Sequence, residues 1–282
     1  MTTIAAPTTF TVPTGNRAAL HAFGSLLLRD VRVLRRNFKQ FVLRTVMQPL
    51  LFAFVFNYVF PKIGQGIGGP SGSGTNFGTV LVPGLIAVAV IFQGIQSVAL
   101  PLVQEFSYTR EIEDRVLAPL PVWAVGLGKM TNGAVQAILA ALVVFPIVAI
   151  VHAPGTAPDI HIPNYLTFAV VLVSAAFLGS AVGLTIGTTF APQQVPLIFS
   201  IIVMPMSMLG CIYYPWAQLD SIGWLKIGVL FNPLVYMSEG LRAAMTPDVP
   251  HMNTALVVSA MLAMTLALGA LALRKFHQRV VS

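Results

Sequence analysis

The sequence predicts an all-α integral membrane protein, and three observations carry that prediction. Hydrophobic residues make up 56% of the 282 residues and charged residues only 9%, against about a quarter charged in soluble domains. Apolar, nearly charge-free runs of about 18 residues or more, long enough to cross a bilayer as a helix, recur from one end to the other. The basic residues gather beside the predicted membrane boundaries, which explains the formal charge of +7 without nucleic acid. No stretch remains for a separate soluble core.

Residues 1–16, MTTIAAPTTFTVPTGN, have neither the basic nor the apolar region of a cleaved signal peptide. They are expected to form a disordered tail, with the first span serving as an uncleaved anchor. From Leu20 to Lys39, Leu20, Phe23, Leu27, Val31, Leu34 and Phe38 recur at helical spacing, while Arg29, Arg32, Arg35, Arg36 and Lys39 gather elsewhere on the helix. That pattern predicts an amphipathic interfacial helix, its apolar stripe in the headgroup boundary and its cations on anionic lipid.

Six transmembrane helices should follow, at about Val42–Phe60, Val80–Val103, Trp123–Val151, Tyr165–Phe190, Val195–Tyr213 and Thr254–Leu273. Thirteen of the sixteen Lys and Arg residues precede span one, flank the connection between spans two and three, or follow span six. The positive-inside rule makes those segments and both termini cytoplasmic. Only Lys62, Lys226 and Arg242 fall on the other side.

Between spans two and three, Glu105, Arg110, Glu111, Glu113, Asp114 and Arg115 form a charged segment that the hydrocarbon core would reject at a cost of roughly 2.5–3.5 kcal/mol for each Arg or Asp at mid-depth. A short charged helix hung between two spans is a natural grip for a soluble partner. In span four, Gly179, Gly183 and Gly187 form one smooth strip for close backbone approach, either by a helix of the same chain or by a second subunit. Pro49, Pro83, Pro101, Pro146, Pro196 and Pro205 are expected to kink or interrupt their helices.

The stretch from Trp216 to Met245 is too apolar for an exposed loop and too interrupted to span. Pro215 and Asn232-Pro233 divide it, so it is expected to form an outer re-entrant helical hairpin between spans five and six. Glu239 and Arg242, three residues apart, can pair on one helix face.

Several chemistries find no support. The glycine-rich loop 63–78 lacks the Gly-Lys-Ser/Thr ending of a P-loop, and Gly126-Leu127-Gly128-Lys129-Met130-Thr131 lacks its upstream glycine, Trp123 standing there. The five histidines have no metal-ligand spacing, and the single cysteine, Cys211, excludes an intramolecular disulfide. No carboxylate lies in the middle of a span, which removes the usual proton relay of an ion-coupled carrier. The polar side chains Gln48, Asn57, Gln93, Gln96, Asn132 and Gln136 either line a pathway or bond across helices. A permease dimer interface lined by Phe52, Phe56, Phe92, Gln93, Gln96, Met204 and Met208 would suit large apolar cargo, and packing alone would equally explain those side chains.

Taken in order, the basic entry helix, the six spans, the charged connection after span two and the proline-broken outer segment resemble the permease subunits of type-2 ATP-binding-cassette (ABC-2) exporters, from about residue 17 to the end. Tyr108–Pro121 is similar to the family's Arg-Glu-rich inner helix and its Leu-x-Pro turn. Asn232, Pro233, Tyr236, Glu239 and Arg242 are similar to its terminal Asn-Pro…Glu…Arg segment. Ile112-Glu113-Asp114 departs from the Gly-Thr step frequent in that inner helix. The resemblance implies a transmembrane domain over residues 17–282, a second permease that is identical or related, and separate cytosolic ATPase subunits that carry ATP and Mg. This chain would be no enzyme and would bind no cofactor itself. Residues 105–118 would be the coupling helix that docks on the ATPase, and the cargo would be a drug, lipid, glycolipid or lipid-linked polysaccharide. The rivals are an ion-coupled carrier or channel, and a membrane scaffold that transports nothing.

Overall fold

The computed structural model describes residues 16–63, 77–106, 121–155 and 157–281. Every regular element among the described residues is helical. In chain order the longer helices are α1 (Asn16–Arg36), α2 (Phe38–Lys62), α3 (Phe77–Gln104), α4 (Val122–Ile150), α5 (Tyr165–Thr189), α6 (Val195–Met208), α7 (Pro233–Met245) and α8 (Thr254–Val281). Five of them, α2, α3, α4, α5 and α8, are long and apolar enough to cross a membrane. Their bounds follow the expected spans within about four residues, except that α8 continues to Val281, past the expected end at Leu273.

α6 differs from expectation, ending as a helix at Met208 rather than near Tyr213. At 1.5 Å per residue it is about 21 Å long, short of a ~30 Å hydrocarbon core. The cause is local. Gly210 packs against Leu234 so closely that a Cβ there would lie 2.5 Å from the Leu234 side chain. Cys211 then adopts φ 52°, a left-handed conformation that ends an α-helix.

α3 is the mast of the bundle, buried along almost its whole length against α4, α5 and α7. Its approach to α5 uses the glycine strip: a Cβ on Gly183 would stand 2.8 Å from the Ile95 carbonyl oxygen, and Gly179 and Gly187 face Ile91 and Ala99 in the same way. The strip therefore serves packing within the chain, which decides between the two uses left open by its spacing. Pro83 and Pro101 lie inside α3, and Pro146 inside α4, without interrupting either helix.

Hydroxyls within α5 are satisfied locally. Ser174, Ser180, Thr185 and Thr188 each donate to the carbonyl four residues earlier at 2.6–2.9 Å, so they add no unpaired polar group to an apolar bundle. Three helices start on asparagine caps. Asn164 Oδ1 accepts from the amides of Leu166 and Thr167, Asn232 Oδ1 from Leu234, and Asn253 Oδ1 from Ala255 and Leu256. Pro233 occupies the first helical position of α7, where its missing N–H costs nothing.

The two ends of the bundle have different characters. At one, Phe23 and Leu26 of α1 pack with Val98, Leu102, Val125, Leu184 and Phe276. There Arg279 donates to the carbonyls of Thr188 (2.6 Å) and Phe190 (3.3 Å), and its guanidinium lies 4.8 Å from the Phe106 ring centre. We call this the basic end; it holds α1, the tail of α8 and both roots of the 107–120 connection. The opposite end holds α7 and the run 216–231, a succession of short helices (Trp216–Ser221, Gly223–Gly228 and Val229–Phe231), where Trp216 donates its indole N–H to the Lys226 carbonyl and its ring sits under the Lys226 ammonium. Trp224, Ile227 and Phe231 point outward from that run, each at least 65% exposed.

Candidate functional site

A cavity of about 810 Å³ opens at the basic end, between α1 and the adjoining parts of α2, α3 and α4. Beside apolar Val33, Leu34, Phe41, Leu100 and Pro101, its lining is rich in polar side chains, because four helices turn polar faces toward it. On α3 these are Gln93, Gln96 and Gln104, with Ser97 beside them; on α4 they are Lys129, Asn132 and Gln136; Gln40 and Arg44 come from α2, Arg29 and Asp30 from α1. Spacings of three, four and seven residues keep each set on one helix face. Gln93 lies 11 positions before the end of α3, about 16 Å into the helix, so the cavity carries polar groups to bundle depth.

Hydrogen bonds link these stripes across helices. The Thr45 hydroxyl donates to Gln93 Oε1 (3.3 Å), the Gln93 amide to Gln136 Oε1 (3.4 Å) and the Gln136 amide to Asn132 Oδ1 (3.4 Å). Lys129 Nζ and Glu105 Oε1 form a buried ion pair beside this chain, and Arg29 pairs with Asp30 at 3.5 Å. Arg44 makes no ion pair among the described residues.

The second polar centre lies at the opposite end and is wholly enclosed. Glu239 and Arg242 of α7, both 0% exposed, form an ion pair. Glu239 also accepts from the backbone amides of Trp216 (2.9 Å) and Met252 (2.8 Å). Arg242 donates to the carbonyls of Cys211 (3.0 Å) and, more weakly, Val80 (3.4 Å). Nearby, the Asn232 amide donates to the Met206 carbonyl at 2.7 Å. One helix thereby ties together α3, the end of α6, the 216–231 run and the start of α8. Outside the pair its hydrogen-bond partners among the described residues are all backbone groups, and Arg242 Nε has none there.

The sequence-derived candidates separate in space. Gln93 and Gln96 line the cavity. Phe52 and Phe56 stack on each other and meet Tyr213 at a tilt, while Phe92 meets Phe199 edge to face. Met204 and Met208 are exposed on α6. Within one chain these seven residues fall in separate places. Arg29, Arg32, Arg35 and Arg36 are exposed on α1, which ends at Arg36 instead of reaching Lys39; Lys39 is exposed in the first turn of α2, beyond the break at Asn37. Glu105 is buried against Lys129, whereas Arg110, Glu111, Glu113, Asp114 and Arg115 lie outside the described residues. Asn132 and Gln136, which the sequence offers as pathway-lining or helix-bonding groups, stand in the cavity beside Arg44 and Lys129, to which the sequence assigns no such role, although the polar face at 129, 132 and 136 is legible as a helical stripe.

A family model described as "ABC-2 type transporter" matches residues 21–246. Proteins named inner membrane transport permease YadH, from Escherichia coli strain K12, E. coli O157:H7 and Shigella flexneri, are each 26% identical to this chain over 224 residues, which is 77% of the chain and 82% of the relative. The helical order, the apolar spans and the extent of the family match agree: the chain belongs to the ABC-2 type transporter membrane family.

Proposed function

We propose that this chain is the membrane-spanning permease subunit of an ATP-driven exporter that moves an amphipathic or hydrophobic cargo, such as a drug, lipid, glycolipid or lipid-linked polysaccharide, across the cytoplasmic membrane. The observation that carries the reading is the family match across residues 21–246, joined to a fold that roots the charged 107–120 connection beside α1 at the basic end. ATP and Mg belong to separate ATPase subunits, and this chain hydrolyses nothing. The charged segment Arg110–Arg115 docks on the ATPase, and movement there passes into α3 and α4, whose ends it joins.

In the same reading the basic end and both termini face the cytoplasm. α6 together with 209–213 makes the sixth crossing, and 216–231 with α7 forms the outer re-entrant element. The outward Trp224 and Phe231 suit a membrane interface. A second permease, identical or related, covers the apolar faces left open on α2 and α6, where Leu43, Leu51, Ile201 and Met204 are all more than half exposed.

The test is co-purification with a candidate ATPase. Replacing Glu111, Asp114 and Arg115 together by alanine is expected to abolish association and ATP-dependent export while the permease stays folded. Association that survives the triple replacement sinks the docking assignment, and export by vesicles without any ATPase sinks the whole reading. Cysteines placed at Ser73 and Gln278 should label from opposite sides of the membrane.

A further inference from the structure

The amide-lined cavity at the basic end leaves several of its polar groups unpaired among the described residues, and its chemistry is specific. Two of its three cations are matched, Arg29 by Asp30 and Lys129 by Glu105, which leaves the Arg44 guanidinium in excess. The hydrogen-bond chain from Thr45 through Gln93 and Gln136 runs in one direction and ends at Asn132 Oδ1, so the Asn132 NH₂ has no acceptor among the described residues. Gln40, Gln96 and Gln104 add further amides that make no hydrogen bond among the described residues. Polar groups at this depth of a membrane bundle are costly unless they are paired, wet or occupied. The unmatched charge is positive, and a guanidinium fork beside an amide donor matches a phosphate ester; the lining also holds one unmet acceptor, the buried Asp30 Oδ2, which has no hydrogen-bond partner among the described residues.

We propose that this cavity, within a single protomer, binds the phosphate-bearing headgroup of a membrane amphiphile, with Arg44 and Asn132 on the phosphate oxygens and the glutamines on neighbouring hydroxyls. The volume of about 810 Å³ lies within the range of ligand sites, roughly 300–1,000 Å³. The amphiphile enters beside α1, because α1 forms one wall of the cavity and presents its exposed cations at the same end. This inference rests on the amphipathic-cargo reading above and narrows it to phosphate-bearing headgroups.

The experiment uses the full chain purified without an ATPase, and native mass spectrometry counts bound lipid. Phosphatidylglycerol, phosphatidylcholine of the same acyl chains, and water-soluble glycerol phosphate are offered separately. Wild type is expected to hold phosphatidylglycerol in preference to phosphatidylcholine. Arg44→Gln and Asn132→Leu should each weaken phosphatidylglycerol binding roughly tenfold, as expected for one charge-assisted contact, and Arg44→Lys should recover part of it. Arg35→Gln, which removes an exposed cation outside the cavity, should change little. Circular dichroism and size-exclusion profiles establish that each variant is folded.

Equal losses in Arg35→Gln and Arg44→Gln would mean attraction to the basic surface alone and overturn the site. Wild type that holds both lipids equally, with no effect of either cavity variant, would mean a water-filled cavity and overturn it too. Glycerol phosphate binding as tightly as the lipid would overturn the membrane source of the ligand. These results are separate from the exporter reading: loss of headgroup selectivity with intact ATP-dependent export removes only this inference, while selective binding in a protein that never associates with an ATPase removes only the exporter.

Discussion

Two buried ion pairs stand at opposite ends of the molecule, and they are built differently. Glu239–Arg242 is sealed at 0% exposure and receives or gives hydrogen bonds to backbone atoms of four separate segments. Lys129–Glu105 borders a cavity lined by amide side chains. The first is surrounded by groups that cannot move away without unfolding something; the second has side chains and an open volume as neighbours. A charge in the first setting has no substitute solvent, whereas one in the second can exchange its partner for water or a ligand. The comparison separates a brace from a site by the neighbours of the charge, since both pairs are buried.

The largest effect should come from breaking the brace. Arg242→Ala leaves Glu239 as an uncompensated buried charge, at a cost of about 3–5 kcal/mol. It should abolish recovery of monodisperse protein from detergent, and near-normal yield and melting temperature would show that the pair is dispensable. Next is the contact through which Cys211 is held over α3. A Cβ added at Gly84 would stand 2.4 Å from the Ile212 carbonyl oxygen, so Gly84→Ala should cost about 1–3 kcal/mol by overpacking and lower the melting temperature visibly. An unchanged melt would mean that the 209–213 turn moves freely away from α3.

Asn232→Ala removes both the cap of α7 and the bond to the Met206 carbonyl. About 1–2 kcal/mol of destabilisation is expected, with Asn232→Asp recovering only the cap; full rescue by Asp would eliminate the Met206 bond as a contributor. The smallest effect is predicted at the cavity. Glu105→Gln should shift stability by about 1 kcal/mol or less, and the double variant Glu105→Gln/Lys129→Met should be near neutral, because the neighbours and the cavity can solvate what remains. A collapse as large as that of Arg242→Ala would erase the distinction between the two ends.

Much of this architecture can be read from the chain, for physical reasons that also explain the omissions. Five crossings announce themselves because lipid tolerates only long apolar helices with internally satisfied backbone. Glu239 and Arg242 were visible as a pair because three residues apart is a helical contact. The end of α6 was not visible, because nothing in Leu209–Tyr213 except one glycine signals a turn, and the left-handed residue there is a cysteine. The cavity was missed for a different reason. Gln93, Gln96, Asn132 and Gln136 are individually mild, and only their coincidence on facing stripes of α3 and α4, closed by α1 from far earlier in the chain, creates a lined volume. The charged residues 110–115, the strongest signal in the sequence, lie where the structure describes nothing, so their role rests on experiment.

The enclosure of α3 has a consequence for how the protein is made. In the finished bundle this helix meets protein on nearly every side, so its Val, Ile and Leu residues gain nothing from contact with lipid there. During synthesis, however, α3 leaves the ribosome before α4, α5 and α7 exist to receive it. It must then enter the bilayer on its own oiliness, and a composition that looks excessive for a protein interior is what that early, solitary step demands.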